Sequence, residues 1–220
     1  MHLLASAGII LVGYLIGAVP FGLIIGRVFK GIDVRNYGSG KIGATNALRT
    51  LGPGASAMVL LLDAGKGCAA VYLARLTLGS PAVEAGAAVA AMVGHDWPVY
   101  VGFKGGRGVA VGLGSCLALV PLSVASAVAA AALSVLATRY VSLGSLLGAV
   151  AAAATFMVYV ALGKAPADYL AFVIIGFALI VFHHRDNIAR LARGRERRIG
   201  ERVAAAGSAR TRPVRREVAR

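Results

Sequence analysis

Charged side chains are scarce in this chain of 220 residues: Asp, Glu, Lys and Arg make up 15% of it, whereas 58% of the residues are hydrophobic. Soluble domains carry about a quarter charged residues, so this shortage excludes an ordinary soluble fold. Apolar runs long enough to cross a bilayer recur along the chain, and its mean hydropathy is +0.78. The sequence therefore predicts an all-α integral membrane protein.

Cysteine is also rare. Cys68 and Cys116 are the only two, and both lie in apolar runs, where they are expected to be small buried hydrophobes and not a disulfide or a metal pair. No group of His, Cys, Asp and Glu has the spacing of zinc ligands. We therefore expect neither a metal nor another cofactor.

Several catalytic signatures are missing from the sequence. It contains no G-x-S-x-G nucleophile elbow, no D-x-x-D-G series of a metal-dependent phosphatidyl transferase, and no histidine–aspartate spacing of the soluble-type glycerolipid acyltransferases. Gly40-Lys41 resembles a Walker A loop, but Arg35 stands in place of its first glycine and Ile42 in place of its Ser or Thr. A nucleotide triphosphatase is therefore not expected.

Positive charge, by contrast, is in excess, with a net charge of +14. Residues 193–220 contain ten arginines and three glutamates, so +7 of that charge lies in the tail. Beside a membrane helix, such a tail is expected to meet anionic lipid headgroups and not nucleic acid. We predict one membrane domain over 1–196 and a basic, disordered cytoplasmic tail over 197–220.

The apolar stretches predict about seven transmembrane helices, some of them short or broken. The basic loop 27–53 places that face in the cytoplasm, so the N-terminus is expected outside and the C-terminus inside; five passes would give the same sidedness. The first stretch lacks a basic leader and a cleavage site, and we interpret it as a retained helix. The stretches are 3–26, 55–78, 82–102, 109–120, 121–138, 142–162 and 168–183, with Pro121 separating the fourth from the fifth.

Two polar stretches are predicted to meet at the cytoplasmic face. In Gly38–Arg49, Ser39, Thr45 and Asn46 offer hydrogen bonds and Arg49 a bidentate fork. In GHDWPVYVGFKGGRG (94–108), glycines and cations open directly into a helix, where backbone N–H groups and the helix dipole favour a phosphate. The alternative for this second stretch is a basic loop that only holds the protein's orientation. Its candidate phosphate binders are Lys104, Gly105, Gly106, Arg107 and Gly108.

A third polar stretch follows the last apolar run. His184 and Asn187 are three residues apart and therefore share one helical face, which favours a functional pair over a plain juxtamembrane anchor. Within the second apolar stretch, Asp63 and Lys66 are predicted to form a structural ion pair, because isolated charges are costly in hydrocarbon. The alternative is that Lys66 reaches the site.

Together these motifs resemble the bacterial PlsY family of membrane acyl-phosphate:glycerol-3-phosphate acyltransferases. The resemblance rests on GSGKIGATNALR (38–49), DAGKG (63–67), GHDWPVYVGFKGGRGVAVGLG (94–114) and HRDNIARLARGRE (184–196), in the family's order. Lys41 departs from the family's usual Asn, and Arg107 from its usual Lys.

The resemblance implies transfer of a fatty acyl group from acyl phosphate to the 1-hydroxyl of glycerol 3-phosphate in the bacterial plasma membrane, giving lysophosphatidic acid and phosphate. It implies polar substrate contacts by Ser39 and Arg49, a phosphate loop at Lys104 and its glycines, completion of the site by His184 and Asn187, and a structural role for Glu196. A transporter of anionic solutes is the competing class, but few charges lie at mid-membrane depth. A purely structural membrane protein would leave the glycine-rich motifs unexplained. The sequence carries no indication of an oligomeric state.

Overall fold

The computed structural model describes residues 2–200, which form ten α-helices and no β-strand. The all-α prediction is thereby confirmed for this part of the chain. The helices are α1 (His2–Ala18), α2 (Phe21–Lys30), α3 (Ala44–Thr50), α4 (Pro53–Thr77), α5 (Pro81–Asp96), α6 (Val109–Leu119), α7 (Pro121–Thr138), α8 (Val141–Ala161), α9 (Tyr169–His183) and α10 (Arg185–Ala192).

Prolines set many of the helix boundaries. Pro53, Pro81 and Pro121 each occupy the first position of a helix, where a missing N–H costs nothing. Pro20 separates α1 from α2, as expected for a kink in the first apolar stretch. The predicted break at Pro121 is confirmed, since α6 ends at Leu119 and α7 begins at Pro121.

Each predicted apolar stretch contains a helix or, in the first stretch, a kinked pair of helices. By length and composition, four helices of the described chain can cross a membrane, counting α1 with α2, and five can if the bent pair α9–α10 is one span. The third stretch ends earlier than predicted, at Asp96 and not at 102. Pro98 explains the early end, because it lacks an N–H and disfavours helical backbone at Trp97.

Small residues allow the helices to approach closely. α1 packs on α5, α4 on α6, and α7 on α8. A Cβ atom at Gly17 would overlap the backbone of Ala91, and one at Gly114 would overlap the carbonyl group of Ala64. Such contacts between small residues are the usual means of helix association in lipid, where the hydrophobic effect contributes little.

The two ends of the bundle differ. At one end, Arg75, Glu84 and Tyr169 join α4, α5 and α9: the Arg75 guanidinium lies 2.6 Å from Glu84 Oε2, to which the Tyr169 hydroxyl also donates. At the other end, the loops 31–43 and 97–108 meet the segment after α10. In this segment Arg197 donates to the Gly38 carbonyl at 3.1 Å.

The last described residues continue along the bundle, because the Ile199 N–H donates to the Arg139 carbonyl at 2.8 Å. Most of the tail predicted over 197–220 lies outside the described residues.

Candidate active site

A polar pocket of about 110 Å³ lies where the three polar stretches meet. The starts of α6 and α8 complete its walls. The structure thus brings together residues that are more than 140 positions apart in the sequence, Ser39 and Asn187 among them. The predicted site residues that line it are Ser39, Thr45, Asn46, Arg49, Asp63, Gly106, Arg107, His184, Asn187 and Glu196.

The charges of this pocket favour an anion. Lys41, Arg49 and Arg107 line it, together with two carboxylates, Asp63 and Glu196. Both carboxylates are already paired with other cations: Asp63 Oδ1 lies 2.9 Å from Lys66 Nζ, and Glu196 Oε2 lies 2.7 Å from Arg190 Nε. Lys41 and Arg107 form no salt bridge with a carboxylate among residues 2–200, so an anionic ligand would be stabilised beside them.

Arg107 is the cation of the glycine-rich loop that reaches the pocket. Burial, together with the positive charges of Arg190 and Arg49, lowers the pKa of Arg107. Its Nε is buried and has no hydrogen-bond partner among residues 2–200. A buried guanidinium donor without an acceptor is costly, and a ligand oxygen would satisfy it.

Lys104, three residues earlier, is exposed to solvent and does not line the pocket. Lys41, by contrast, lines it although sequence reasoning gave it no role. Burial and the charge of Arg107 lower the pKa of Lys41. The sequence did single out position 41, because Lys41 stands where the family usually has Asn.

The three loop glycines pack against the end of α5. A Cβ atom at Gly105 would overlap the carbonyl group of His95, and one at Gly106 would overlap the His95 ring. The Gly106 N–H is engaged by the His95 carbonyl at 3.0 Å, so it is not available to a phosphate. Gly108 precedes α6 with φ +69°, a conformation that glycine adopts without strain. Only Gly106 of the three lines the pocket.

Asn46 holds the first loop in place. Its side-chain N–H groups donate to the carbonyl groups of Val34 at 2.8 Å and Lys41 at 2.9 Å, while its oxygen accepts from the Ser39 N–H at 2.9 Å. The amide is therefore occupied by the loop that carries Ser39 and Lys41. Thr45, in the same turn, lies on the boundary between the pocket and the apolar cavity described below.

His184 and Asn187 present acceptor atoms to the pocket. His184 Nδ1 lies 2.8 Å from the Ile180 carbonyl, which can only accept, so Nδ1 carries the proton and Nε2 keeps its lone pair. The Asn187 amide donates to Glu196 Oε1 at 2.6 Å. Its oxygen Oδ1 is buried and unpartnered within the described chain.

Glu196 supports this pair from behind. It accepts hydrogen bonds from Ser142 at 3.0 Å, Asn187 at 2.6 Å and Arg190 at 2.7 Å. Burial alone raises the pKa of Glu196, but these donors outweigh it and hold the pKa below its ordinary value of 4.5. Glu196 therefore joins α8, α10 and the segment that follows α10.

The predicted contact between Asp63 and Lys66 is present, with their charged atoms 2.9 Å apart. Lys66 Nζ also lies 2.9 Å from His95 Nδ1 and donates to the Val19 carbonyl at 2.9 Å. Sequence reasoning missed His95, which lines the pocket beside Asp63. The sequence indicated His95 only as one residue of the polar stretch 94–108 that was predicted to form the site.

An apolar cavity of about 480 Å³ adjoins the polar pocket. Thr45, Leu60, Val109 and Ser145 line both spaces. The cavity runs between α6, α7, α8 and α9, and Phe156 and Phe172 lie on its wall. A group held at the charged pocket can therefore extend an apolar chain between the helices.

Each comparison with known proteins finds that this chain is similar to glycerol-3-phosphate acyltransferases. A family model described as glycerol-3-phosphate acyltransferase matches residues 7–194. The glycerol-3-phosphate acyltransferase of Desulforamulus reducens is 43% identical over 194 residues, covering 88% of this chain and 95% of the relative. That of Gloeobacter violaceus is 46% identical over 206 residues, covering 90% and 97%.

Two solved structures are also similar to this chain, each covering 89% of it and 96% of the matched chain. Both are crystal structures of PlsY, an integral membrane glycerol 3-phosphate acyltransferase. The glycerol 3-phosphate form matches with a TM-score of 0.82 at 37% identity, and the lysophosphatidic acid form with 0.81 at 36%. The prediction of an integral membrane protein is thereby confirmed.

Proposed function

Because this chain belongs to the glycerol-3-phosphate acyltransferase family, we propose that it transfers a fatty acyl group from acyl phosphate to the 1-hydroxyl of glycerol 3-phosphate. The products are lysophosphatidic acid and inorganic phosphate. This reaction requires no metal and no organic cofactor, because acyl phosphate is a mixed anhydride with a good leaving group.

A pair of unpartnered buried atoms in the polar pocket carries the proposal. Arg107 Nε is a donor and Asn187 Oδ1 is an acceptor, and neither has a partner among the residues that the structure describes. Glycerol 3-phosphate offers the matching groups, phosphate oxygens that accept and hydroxyl groups that donate. Lys41 and Arg49 strengthen the preference for phosphate, and Ser39 lies beside them on the pocket wall.

The acyl chain of the second substrate is placed in the apolar cavity. Its phosphate then lies at the polar pocket, near Thr45 and Val109, which line both spaces. Two phosphate groups repel each other, and the positive charge of the pocket offsets this repulsion. Holding the hydroxyl against the acyl carbon is the main catalytic task.

In the reaction, the hydroxyl oxygen of glycerol 3-phosphate forms a bond to the acyl carbon, and the bond between that carbon and the phosphate oxygen breaks. The hydroxyl proton passes to the released phosphate. His184 and Asn187 orient the hydroxyl through Nε2 and Oδ1. A His184→Gln variant that binds both substrates but has no turnover would instead make His184 the general base.

We further propose that the chain crosses the membrane seven times, using the shorter helices α5, α6 and α9 together with the longer ones. The active site then lies at the cytoplasmic face, next to the basic tail and anionic lipid headgroups. Lys104 is exposed at this end of the bundle. A Lys104→Cys variant is expected to react with a membrane-impermeant maleimide in inverted vesicles and not in intact cells; the reverse result would contradict this orientation.

The activity is tested with purified protein in detergent. Glycerol 3-phosphate is supplied with palmitoyl phosphate and, in parallel, with palmitoyl-CoA, while phosphate and lysophosphatidic acid are both followed. Equal amounts of the two products from palmitoyl phosphate alone are expected. Turnover with palmitoyl-CoA would contradict the proposed donor. No product from either donor would contradict the reaction, and passage of glycerol 3-phosphate into proteoliposomes would then indicate a transporter.

A further inference from the structure

The ammonium group of Lys66 lies among three polar groups inside the bundle. Its ammonium group has three N–H donors. Lys66 Nζ donates to the Val19 carbonyl at 2.9 Å, lies 2.9 Å from His95 Nδ1, and forms an ion pair with Asp63 Oδ1 at 2.9 Å. Lys66 is buried, so these three groups surround its ammonium group away from solvent.

This contact fixes the protonation of His95. An ammonium group only donates, so His95 Nδ1 has to accept, and an imidazole that accepts at Nδ1 carries its proton on Nε2. His95 is therefore a neutral hydrogen-bond donor. A protonated ring would set two donors against each other at 2.9 Å.

The donor edge of His95 lies at the polar pocket. The ring is buried, lines the pocket, and is packed against Gly106, which lines it too. A Cβ atom at position 106 would overlap His95 Nε2. Glycine at this position therefore allows the ring to lie against the loop with Nε2 at the pocket wall.

The charge of this corner suits a carbonyl oxygen better than a phosphate. Asp63 lines the same part of the pocket, with Oδ1 3.6 Å from His95 Nδ1 and 2.9 Å from Lys66 Nζ, so the charges of Asp63 and Lys66 offset each other and leave no net positive charge there for a phosphate. The lining cations Lys41, Arg49 and Arg107 can hold the phosphates instead. A neutral donor is suited to an oxygen that is uncharged before the reaction and becomes negative during it.

We infer that His95 is a catalytic residue whose Nε2–H donates to the acyl carbonyl oxygen, and that Lys66 is the positioning residue that fixes its tautomer. This role rests on the proposed function. As the hydroxyl attacks the acyl carbon, negative charge grows on the carbonyl oxygen and the Nε2–H bond to it strengthens. The charge returns to the carbonyl when the bond to phosphate breaks, and His95 keeps its proton throughout.

Two substitutions at His95 separate this role from a structural one. His95→Asn keeps an acceptor near the position of Nδ1 for Lys66 but loses the donor at the position of Nε2. We expect its kcat to fall about 100-fold with little change in KM for either substrate, and its unfolding temperature in detergent to stay near that of the wild type. His95→Gln, whose amide reaches further, is expected to recover part of the loss. A His95→Asn variant with wild-type kcat would overturn the inference.

A measurement without turnover checks the tautomer. In protein labelled with ¹⁵N-histidine, the NMR spectrum is expected to show His95 with a bare Nδ1 and a protonated Nε2. The double variant Asp63→Asn with Lys66→Met removes both buried charges together, and is expected to lose this fixed tautomer. A protonated Nδ1 in the wild type would overturn the inference even if the variants failed to fold.

The same experiments distinguish this inference from the proposed function. If the wild-type protein makes no lysophosphatidic acid, the proposed reaction is contradicted, and the role of His95 with it. If the wild-type protein turns over and the His95→Asn variant has the same kcat, only the role of His95 is contradicted.

Discussion

The polar pocket and the apolar cavity share a wall but are built by different means. Loops, short helices and parts of α4, α5 and α8 form the pocket, and most of its polar side chains bond to other residues of the protein, as Asn46 and Glu196 do. The cavity lies between the longer helices α7 and α8, which approach each other through small residues such as Gly144 and Gly148. The pocket depends on the position of single atoms, whereas the cavity depends on volume.

The two regions therefore tolerate different kinds of substitution. Removing one polar atom from the pocket leaves another buried group unpaired, which costs more than the bond itself contributed. Changing a side chain in the cavity alters the space available to a flexible chain and leaves the charges in place. Substitutions in the pocket are therefore expected to abolish activity, and those in the cavity to alter selectivity.

The largest effect is expected at Arg107. Arg107→Ala removes the half-buried guanidinium that lines the pocket, and kcat/KM for glycerol 3-phosphate should fall about 100-fold or more. Arg107→Lys restores the charge without the fork and should recover part of the loss. Steady-state kinetics in detergent measure both variants, and an Arg107→Ala enzyme within a few-fold of the wild type would contradict the assignment.

Glu196→Ala tests the support behind the pocket. Loss of the carboxylate leaves the Asn187 amide and Arg190 without their acceptor, and should cost about 3 kcal/mol of stability as well as most of the activity. Thermal unfolding in detergent, followed together with turnover, measures both. Normal stability would show that the three hydrogen bonds do not hold this region.

The same carboxylate predicts a dependence on pH. Because the pKa of Glu196 is held below 4.5 in the folded protein, its stabilisation is fully present above the unfolded pKa and is lost as the pH falls through the folded value. Glu196→Gln cannot titrate and should lose less stability than the wild type on acidification below about pH 4.5. Equal losses would contradict the linkage.

A substitution in the cavity should give a smaller and selective effect. Ala152 lines the cavity on α8, between Ser145 at its polar end and Phe156, which are about 16 Å apart along the helix. Ala152→Leu should lower turnover of a 16-carbon acyl phosphate about tenfold relative to a shorter donor. KM for glycerol 3-phosphate should not change. Ala154→Leu, on the exposed side of the same helix, is the control, and an equal effect there would contradict the cavity assignment.

Lys104→Ala should have the smallest effect. The side chain is exposed and outside the pocket, so its charge is screened by solvent and its loss should change kcat/KM less than about fivefold. A loss as large as that of Arg107→Ala would show that the loop closes over the substrate in the reaction.

The apolar stretches and prolines were sufficient to predict the helices. The break at Pro121 and the ends of α4, α8 and α9 agree with the sequence to within about two residues. The motifs also indicated which stretches meet. What the sequence did not show is which neighbour in a motif is buried, as with Lys104 and Arg107. That choice depends on local backbone geometry, including the left-handed conformation of Phe103 (φ 60°), which is rare for a bulky residue.

Nor did the sequence distinguish residues that face a ligand from those that hold the loops. Asn46 was predicted to bind substrate, and its amide is occupied by backbone groups. Lys66 has an adequate partner three residues away, so nothing in the sequence pointed to His95 as a further one. The Lys66–His95 contact arises only when α4 packs on α5, whereas the Asn46 hydrogen bonds depend on how the loop before α3 folds back on that helix.

The wall shared by the two spaces has a kinetic consequence. Such a protein takes one substrate from bulk water and the other from the plane of the membrane, and the concentrations of the two are counted in different ways. For the proposed reaction, the quantity that sets the rate is then the mole fraction of acyl phosphate among the surrounding lipids, not its amount per litre. Adding inert phospholipid or detergent at constant acyl phosphate would slow the enzyme by surface dilution, while glycerol 3-phosphate would still follow its bulk concentration.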